Sequence, residues 1–292
     1  MDQLLQQMIN GISLGSIYAL IALGYTMVYG IIKLINFAHG DVYMIGAYIG
    51  FAVTTYANLG FIPALIISMV ACAILGMLVE KIAYKPLRNS SRIAVLITAI
   101  GMSLLIEYTM MFFVGAEVRS YPKLLSEEIF NFGSIVISMQ QIYIIITAIV
   151  LMIILQFIVK KTKVGKSMRA VSADKDAAQL MGINVNSTIS FTFAIGSALA
   201  GAGGVLVGIY YNSIDPLMGM MPGLKAFIAA VFGGIGSIPG AMIGGLSIGV
   251  METLVSGYGN SMYRDAAVFA FLILILILKP SGLLGKNTKE KV

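Results

Sequence analysis

The stretch "VGKSMRAVSADKDAAQLMGINV", residues 164–185, decides between two folds. Its Gly165-Lys166-Ser167 reads like the end of a phosphate-binding loop, which would place an α/β nucleotide-binding domain here. Such a loop requires G-x-x-x-x-G-K-S/T between a strand and a helix. The first glycine would fall at position 160, and that residue is Lys160. An apolar run of membrane length precedes it, not a sheet strand. Without that glycine the nest of backbone N–H groups that cradles phosphate is missing, so nucleotide binding is rejected. The stretch encodes instead a short helix. Ser172 or Asp174 can supply the N-cap oxygen, Asp176 suits the start of the helix dipole, and Gly182 fits the left-handed position that closes a helix. Ala177, Ala178, Leu180 and Met181 lie between. The result is a small, partly apolar helix in the cytoplasm, either lying on the headgroups or acting as a plug for a socket on a cytoplasmic partner.

Outward from this stretch the chain is apolar. Of 292 residues, 59% are hydrophobic and 11% charged, against about 25% charged in a soluble domain; mean hydropathy is +0.93. This is an all-α, polytopic integral membrane protein, read as a single membrane domain over 1–292. Candidate spans are 8–30, 42–59, 61–82, 93–114, 141–160, 187–211, 241–257 and 265–279, with a short ninth at 223–236. "MDQLLQQMIN" has no basic n-region, so the first span is read as retained.

Net charge is +6. The excess is explained by loops that orient the chain, with no need for a nucleic-acid partner. Fourteen of the nineteen basic residues fall after the third, fifth and last spans, among them Lys81, Lys85 and Arg88, then Lys160 to Lys175, then Lys279, Lys286, Lys289 and Lys291. Those regions are assigned to the cytoplasm, including a segment at 161–186 and a tail at 280–292. The loop of 115–140, with Glu117, Glu127 and Glu128, is assigned to the outside. Nine spans, N-terminus outside and C-terminus inside, satisfy the parity.

Cys72 and His39 are each unique, which excludes a disulfide framework and any Cys- or His-cluster metal site. No nucleophile–base pairing or paired carboxylate at useful spacing suggests catalysis. Small residues recur at four-residue spacing, as in Gly11/Gly15, Gly46/Gly50, Gly204/Gly208 and Gly245/Gly249. That spacing lets helices approach closely in lipid. Pro239 is expected to end or kink the helix before it. "HGDVYMIGAYIG" (39–50) and "IPGAMIGGLSIG" (238–249) share Met-Ile-Gly after a break, a pattern expected of two related halves with interrupted helices.

Asn36, Phe37, His39, Gly40 and Asp41 occupy the break between the first two spans. Irregular backbone at membrane depth is tolerated where it lines a cavity, so these are candidates for the translocation pathway, although Asp41 also fits the N-cap of a helix from 42. Glu107 and Glu252 lie within apolar runs, where carboxylates are costly. Structural pairing is one reading and proton-coupled transport the other; Glu252, near the outer end of its span, is also placed to be wet.

"GKSMRAVSADKDAAQLMGINV" (165–185) resembles the cytoplasmic coupling segment of ABC importer permeases of the branched-chain amino acid and ribose group. The residues that carry it are Gly165, Arg169, Ala170, Ala178, Gly182, Ile183 and Asn184, with Asp174 between them. "ALIALGYTMVYGIIKLINFAHGDVYMIGAY" (19–48) and "MPGLKAFIAAVFGGIGSIPGAMIGG" (221–245) resemble the amino acid branch of that family. The resemblance covers nearly the whole chain. It implies a type II ABC importer-like permease with eight or nine helices, some short or broken, in the cytoplasmic membrane of a bacterium or archaeon. It further implies a second permease chain, related or identical, two cytoplasmic ATPase subunits that use ATP, and an extracytoplasmic binding protein. This chain itself would bind no cofactor. The substrate would be a branched-chain amino acid; urea or another small polar solute, a stand-alone secondary carrier and a passive channel remain the alternatives.

Overall fold

The structure is a computed structural model and describes residues 2–88, 90–126 and 128–285. Glu127 of the 115–140 loop and the tail residues Lys286, Lys289 and Lys291 lie outside these. Helices run in the order α1 (Asp2–Ile32), α2 (His39–Tyr56), α3 (Phe61–Val79) with a π-helical extension (Glu80–Tyr84), α4 (Arg92–Val114), α5 (Met139–Lys161), α6 (Lys163–Ala173), α7 (Lys175–Leu180), α8 (Val185–Tyr211), α9 (Met220–Gly233), α10 (Ile238–Tyr258) and α11 (Arg264–Leu278). Among the described residues, seven are long and apolar enough to cross a membrane: α1, α3 with its extension, α4, α5, α8, α10, and α11 with the turn before it. α2 is less apolar because His39, Asp41, Thr54 and Thr55 fall within it. α9 has only 14 residues.

The helices form two shells. The most apolar stretches of α1 and α8 are each 89% buried, whereas that of α11 is 6% buried and that of α4 22%. α1 and α8 are therefore the central pair, with α2 leaning on α8 and α10 on α1. In lipid the hydrophobic effect does not hold helices together, so close backbone approach matters. At the α1–α10 seam, a Cβ on Gly249 would lie 2.3 Å from the Gly15 Cα, and one on Gly245 would lie 2.4 Å from the Ala19 Cα. At the α2–α8 seam, a Cβ on Gly46 would lie 2.5 Å from the Gly201 Cα. Ser68 ties α3 to this seam by donating to the Gly46 carbonyl at 2.8 Å. The four-residue glycine spacing thus marks real seams.

Two corrections concern helix ends. Pro239 does not kink a preceding helix; it sits in the first turn of α10, where its missing N–H is harmless. Asp41 is not an N-cap, because α2 already begins at His39. At one end of the helices, β1 (Arg119–Ser120) pairs with β4 (Ser213–Ile214), and β2 (Ile129–Phe132) forms a hairpin with β3 (Ile135–Ser138). Tyr121 of this loop is buried against the C-terminal halves of α2 and α8, in room left by the missing side chains of Gly50 and Gly208. Burial pushes its phenol well above its usual range.

Candidate functional site

α1 ends at Ile32, and the φ of +54° at Lys33 turns the chain out of the helix. Residues 33–36 are irregular and 37–38 form a turn before α2 starts. The start of α2 meets the approach to α9. A Cβ on Gly40 would lie 2.4 Å from the Gly219 carbonyl oxygen, and one on Gly219 would lie 2.5 Å from that of Gly40. Two glycines are required for backbones this close. Beside this junction lies a cavity of about 180 Å³ lined by Tyr25, Phe37, Gly40, Asp41, Ser103 and Glu107, with Ile100, Leu104, Met220 and Leu224 forming an apolar wall. Asp41 Oδ2 accepts a hydrogen bond from Ser103 Oγ at 2.5 Å. Glu107 is buried one turn further along α4. Among the described residues, no basic side chain lines this cavity.

Three of the five break residues chosen from sequence, Phe37, Gly40 and Asp41, therefore line the cavity. The other two do not. Asn36 is buried and its Oδ1 accepts from the Tyr84 hydroxyl at 2.9 Å. His39 packs into the space left by Gly24, where a Cβ would lie 2.2 Å from its Nε2, with Tyr25 edge-on at 4.7 Å. Ser103 carries no sequence signal, because a lone serine in an apolar helix is commonplace.

The segment at 161–186 is an elbow of two helices, not one. Thr162 caps α6 by accepting from the Gly165 N–H at 3.1 Å. Gly165 presses on the end of α5; a Cβ there would lie 2.2 Å from the Val159 carbonyl oxygen. The Arg169 guanidinium donates to that same carbonyl and so satisfies an orphan group at a helix end. Asp174, and not Ser172, is the N-cap of α7, accepting from the N–H groups of Asp176 and Ala177 at 2.9 and 3.0 Å. Ser172 instead donates to the Gly30 carbonyl of α1 at 2.5 Å. Gly182, at φ +81°, closes α7 in a Schellman motif: its N–H bonds the Gln179 carbonyl and that of Ile183 bonds the Ala178 carbonyl, each at 3.0 Å. Asn184 caps α8 through the Ser187 N–H at 3.0 Å. Ala170 and Ile183 are half-buried and Ala178 is buried. The motif residues thus build the elbow, while Leu180 and Met181, 88% and 83% exposed, project from its tip.

Glu252 is not wet. It is 1% exposed and lies 3.0 Å from Lys225 Nζ and 3.1 Å from Arg264 Nε; Tyr18 donates to its other oxygen at 2.9 Å. Lys225 also faces Asp265 at 2.7 Å. Two cations and two anions from α9, α10 and α11 balance there. Sequence reading passed over Lys225, although a lysine inside "MPGLKAFIAAVF" is the signal that Glu252 has a partner.

A family model described as "Branched-chain amino acid transport system / permease component" matches residues 7–278. The chain is 45% identical to the high-affinity branched-chain amino acid transport system permease protein LivH of Salmonella typhimurium, over 99% of this chain and 97% of that protein. It is 44% identical to the corresponding permease protein BraD of Pseudomonas aeruginosa, over 99% of this chain and 98% of that protein. Among solved structures, PsaBC from Streptococcus pneumoniae in complex with Fab aligns over 96% of this chain and 91% of that one, at 14% identity and a TM-score of 0.44. With near-complete alignment at such identities and a family match across almost every described helix, this chain belongs to the permease family of branched-chain amino acid transport systems.

Proposed function

We propose that the chain is the membrane permease subunit of an ABC importer that moves branched-chain amino acids across the cytoplasmic membrane. What carries this reading is the alignment over 99% of the chain with permeases named for that transport. A second permease chain, related or identical, completes the pathway in lipid. Two cytoplasmic ATPase subunits spend ATP beneath it, and an extracytoplasmic protein delivers the substrate; the chain itself holds no cofactor and no ATPase site.

Geometry supports the parts. α9 spans about 21 Å at 1.5 Å per residue, short of a core of about 30 Å. The irregular segment at 215–219, which leads from β4 to the Gly40 junction, makes up the remainder. That supports nine crossings with the N-terminus outside, the C-terminus inside and the α6–α7 elbow in the cytoplasm. Leu180 and Met181 then offer an ATPase subunit an apolar tip on a rigid, capped turn.

The cavity at the α1–α2 break suits a solute with an ammonium head and an aliphatic tail. Asp41 and Glu107 supply negative charge without a local cation, and Ile100, Leu104 and Leu224 supply an apolar wall. The apolar wall favours an aliphatic side chain over urea, which has no apolar part to place against it. The carrier reading loses its motive at Glu252, whose charge is already neutralised by Lys225.

The test is radiolabelled leucine uptake into vesicles that hold the complete transporter. Uptake is expected only with ATP, and Glu107→Gln is expected to raise KM by roughly tenfold, the worth of one charged hydrogen bond. Uptake without the ATPase subunits would sink the ABC reading. An unchanged KM would remove Glu107 from the pathway.

A further inference from the structure

The link between elbow and cavity begins in a helix irregularity. The end of α3 is a π-turn, with the Lys85 N–H bonding the Glu80 carbonyl five residues back at 2.8 Å. Single π-turns concentrate at functional sites. Here the turn holds a buried carboxylate: Glu80 is 1% exposed. The Arg88 guanidinium pairs with its Oε1, and Ser190 Oγ donates to its Oε2 at 2.6 Å. Arg88 also donates to Asn186 Oδ1 at 2.6 Å. Ser190 and Asn186 lie in the first turns of α8, directly after the elbow that Gly182 and Asn184 rigidify.

The other end of the π-turn reaches the pathway. Tyr84, its last residue, is buried, with its ring 5.2 Å from that of Phe193 on α8. Its hydroxyl donates to Asn36 Oδ1 at 2.9 Å. Asn36 directly precedes Phe37, and Gly40 and Asp41 follow; all three line the cavity. Side-chain bonds thus join the start of α8 to Arg88 and Glu80 at one end of the π-turn, and Tyr84 to Asn36 at the other, with the backbone of the turn itself (Glu80–Tyr84) linking the two. Neither the elbow motif nor the break residues contain Glu80, Arg88 or Tyr84.

We infer that Glu80, Arg88 and Tyr84 are positioning residues that transmit displacement of the α6–α7 elbow to the α1–α2 break. The inference rests on the permease reading above. The π-turn is the element that moves: it is a single i→i+5 irregularity at the end of a regular helix, so it can shift register while α3 keeps its seam with α8. The buried Glu80–Arg88 pair keeps the start of α8 and the π-turn moving together, because separating them strands a charge away from water. Spatial continuity alone does not establish coupling, so the test must read motion.

The complete transporter is reconstituted with Phe37→Cys in this chain; the native Cys72 is 0% exposed and silent. Thiol labelling at position 37 is timed with and without ATP, and ATP hydrolysis is followed in parallel. Labelling is expected to depend on ATP. In Tyr84→Phe, which deletes one hydroxyl and keeps the ring against Phe193, and in Glu80→Gln, hydrolysis is expected to continue while the ATP-dependent change shrinks about fivefold, the shift one net hydrogen bond commands. An ATP response that survives in either variant, or that is absent from the Phe37→Cys parent, overturns the inference. Leucine uptake by the unmodified transporter reads the permease assignment separately, since labelling needs no substrate.

Discussion

Lys225→Met tests the charge network where α9, α10 and α11 meet. Lys225 Nζ lies 3.0 Å from Glu252 Oε1 and 2.7 Å from Asp265 Oδ1, with its side chain 4% exposed. Deleting one member of a buried pair costs about 3–5 kcal/mol, because the other charge stays buried. Two features push the value down. Arg264 Nε remains 3.1 Å from Glu252, and Asp265 is 38% exposed and can rehydrate. About 3 kcal/mol is therefore expected, a fall in Tm of roughly 5–10 °C. The chain has no tryptophan, so unfolding in detergent is followed by circular dichroism of the helices. Lys225→Met/Glu252→Gln removes both charges and keeps an acceptor for Tyr18. It is expected to recover to within about 1 kcal/mol of the parent, about 2 kcal/mol better than Lys225→Met alone, so the coupling in the double-mutant cycle is at least about 2 kcal/mol. A single variant within about 0.5 kcal/mol of the parent, or a double variant that costs the sum of the singles, would refute the network as a buried staple.

Two further outcomes follow from packing and exposure. Gly249→Leu is expected to cost about 3 kcal/mol or more through overpacking, since its Cβ would meet Gly15 at 2.3 Å; Gly101→Ala, with nothing within 4 Å, is expected to gain about 0.5–1 kcal/mol from helix propensity. Comparing the folded yield and Tm of the two variants checks this. Leu180→Ser/Met181→Ser should leave Tm unchanged, because both side chains are exposed, yet reduce ATPase co-purification and ATP-driven uptake at least about tenfold, as loss of a hot-spot contact does. Normal uptake in that variant would make the elbow tip a surface feature only.

Spans, breaks and the elbow were legible in the sequence for local reasons. A run of about 20 apolar residues is a helix in lipid because no water is there to satisfy its backbone. The caps at Asp174 and Gly182 act within a few residues of themselves, so spacing pointed to Gly182 and narrowed the N-cap to Ser172 or Asp174; the Asn184 cap of α8 was not read. The second helix of the elbow was missed because α6 is capped by Thr162, whose threonine looks like part of a basic loop. Arg169 and Ala178 stood out in the motif, yet both serve the elbow itself, Ala178 by being buried and Arg169 by donating back to the end of α5; a motif records that residues matter together, not which way they point.

What only the tertiary structure decided is which distant groups meet. Composition determined that this chain lives in a membrane, and glycine spacing determined that some of its helices touch backbone to backbone. Neither could say that Gly249 meets Gly15, that Lys225 neutralises Glu252 across 27 positions, or that Ser103 and Glu107 of α4 face Asp41 of α2 across a cavity. The reason is that lipid-facing and core-facing positions draw on the same apolar residues, so periodicity carries little information about neighbours. A buried charge shows in the sequence as an expense; its partner is chosen by the packing of helices that lie far apart along the chain.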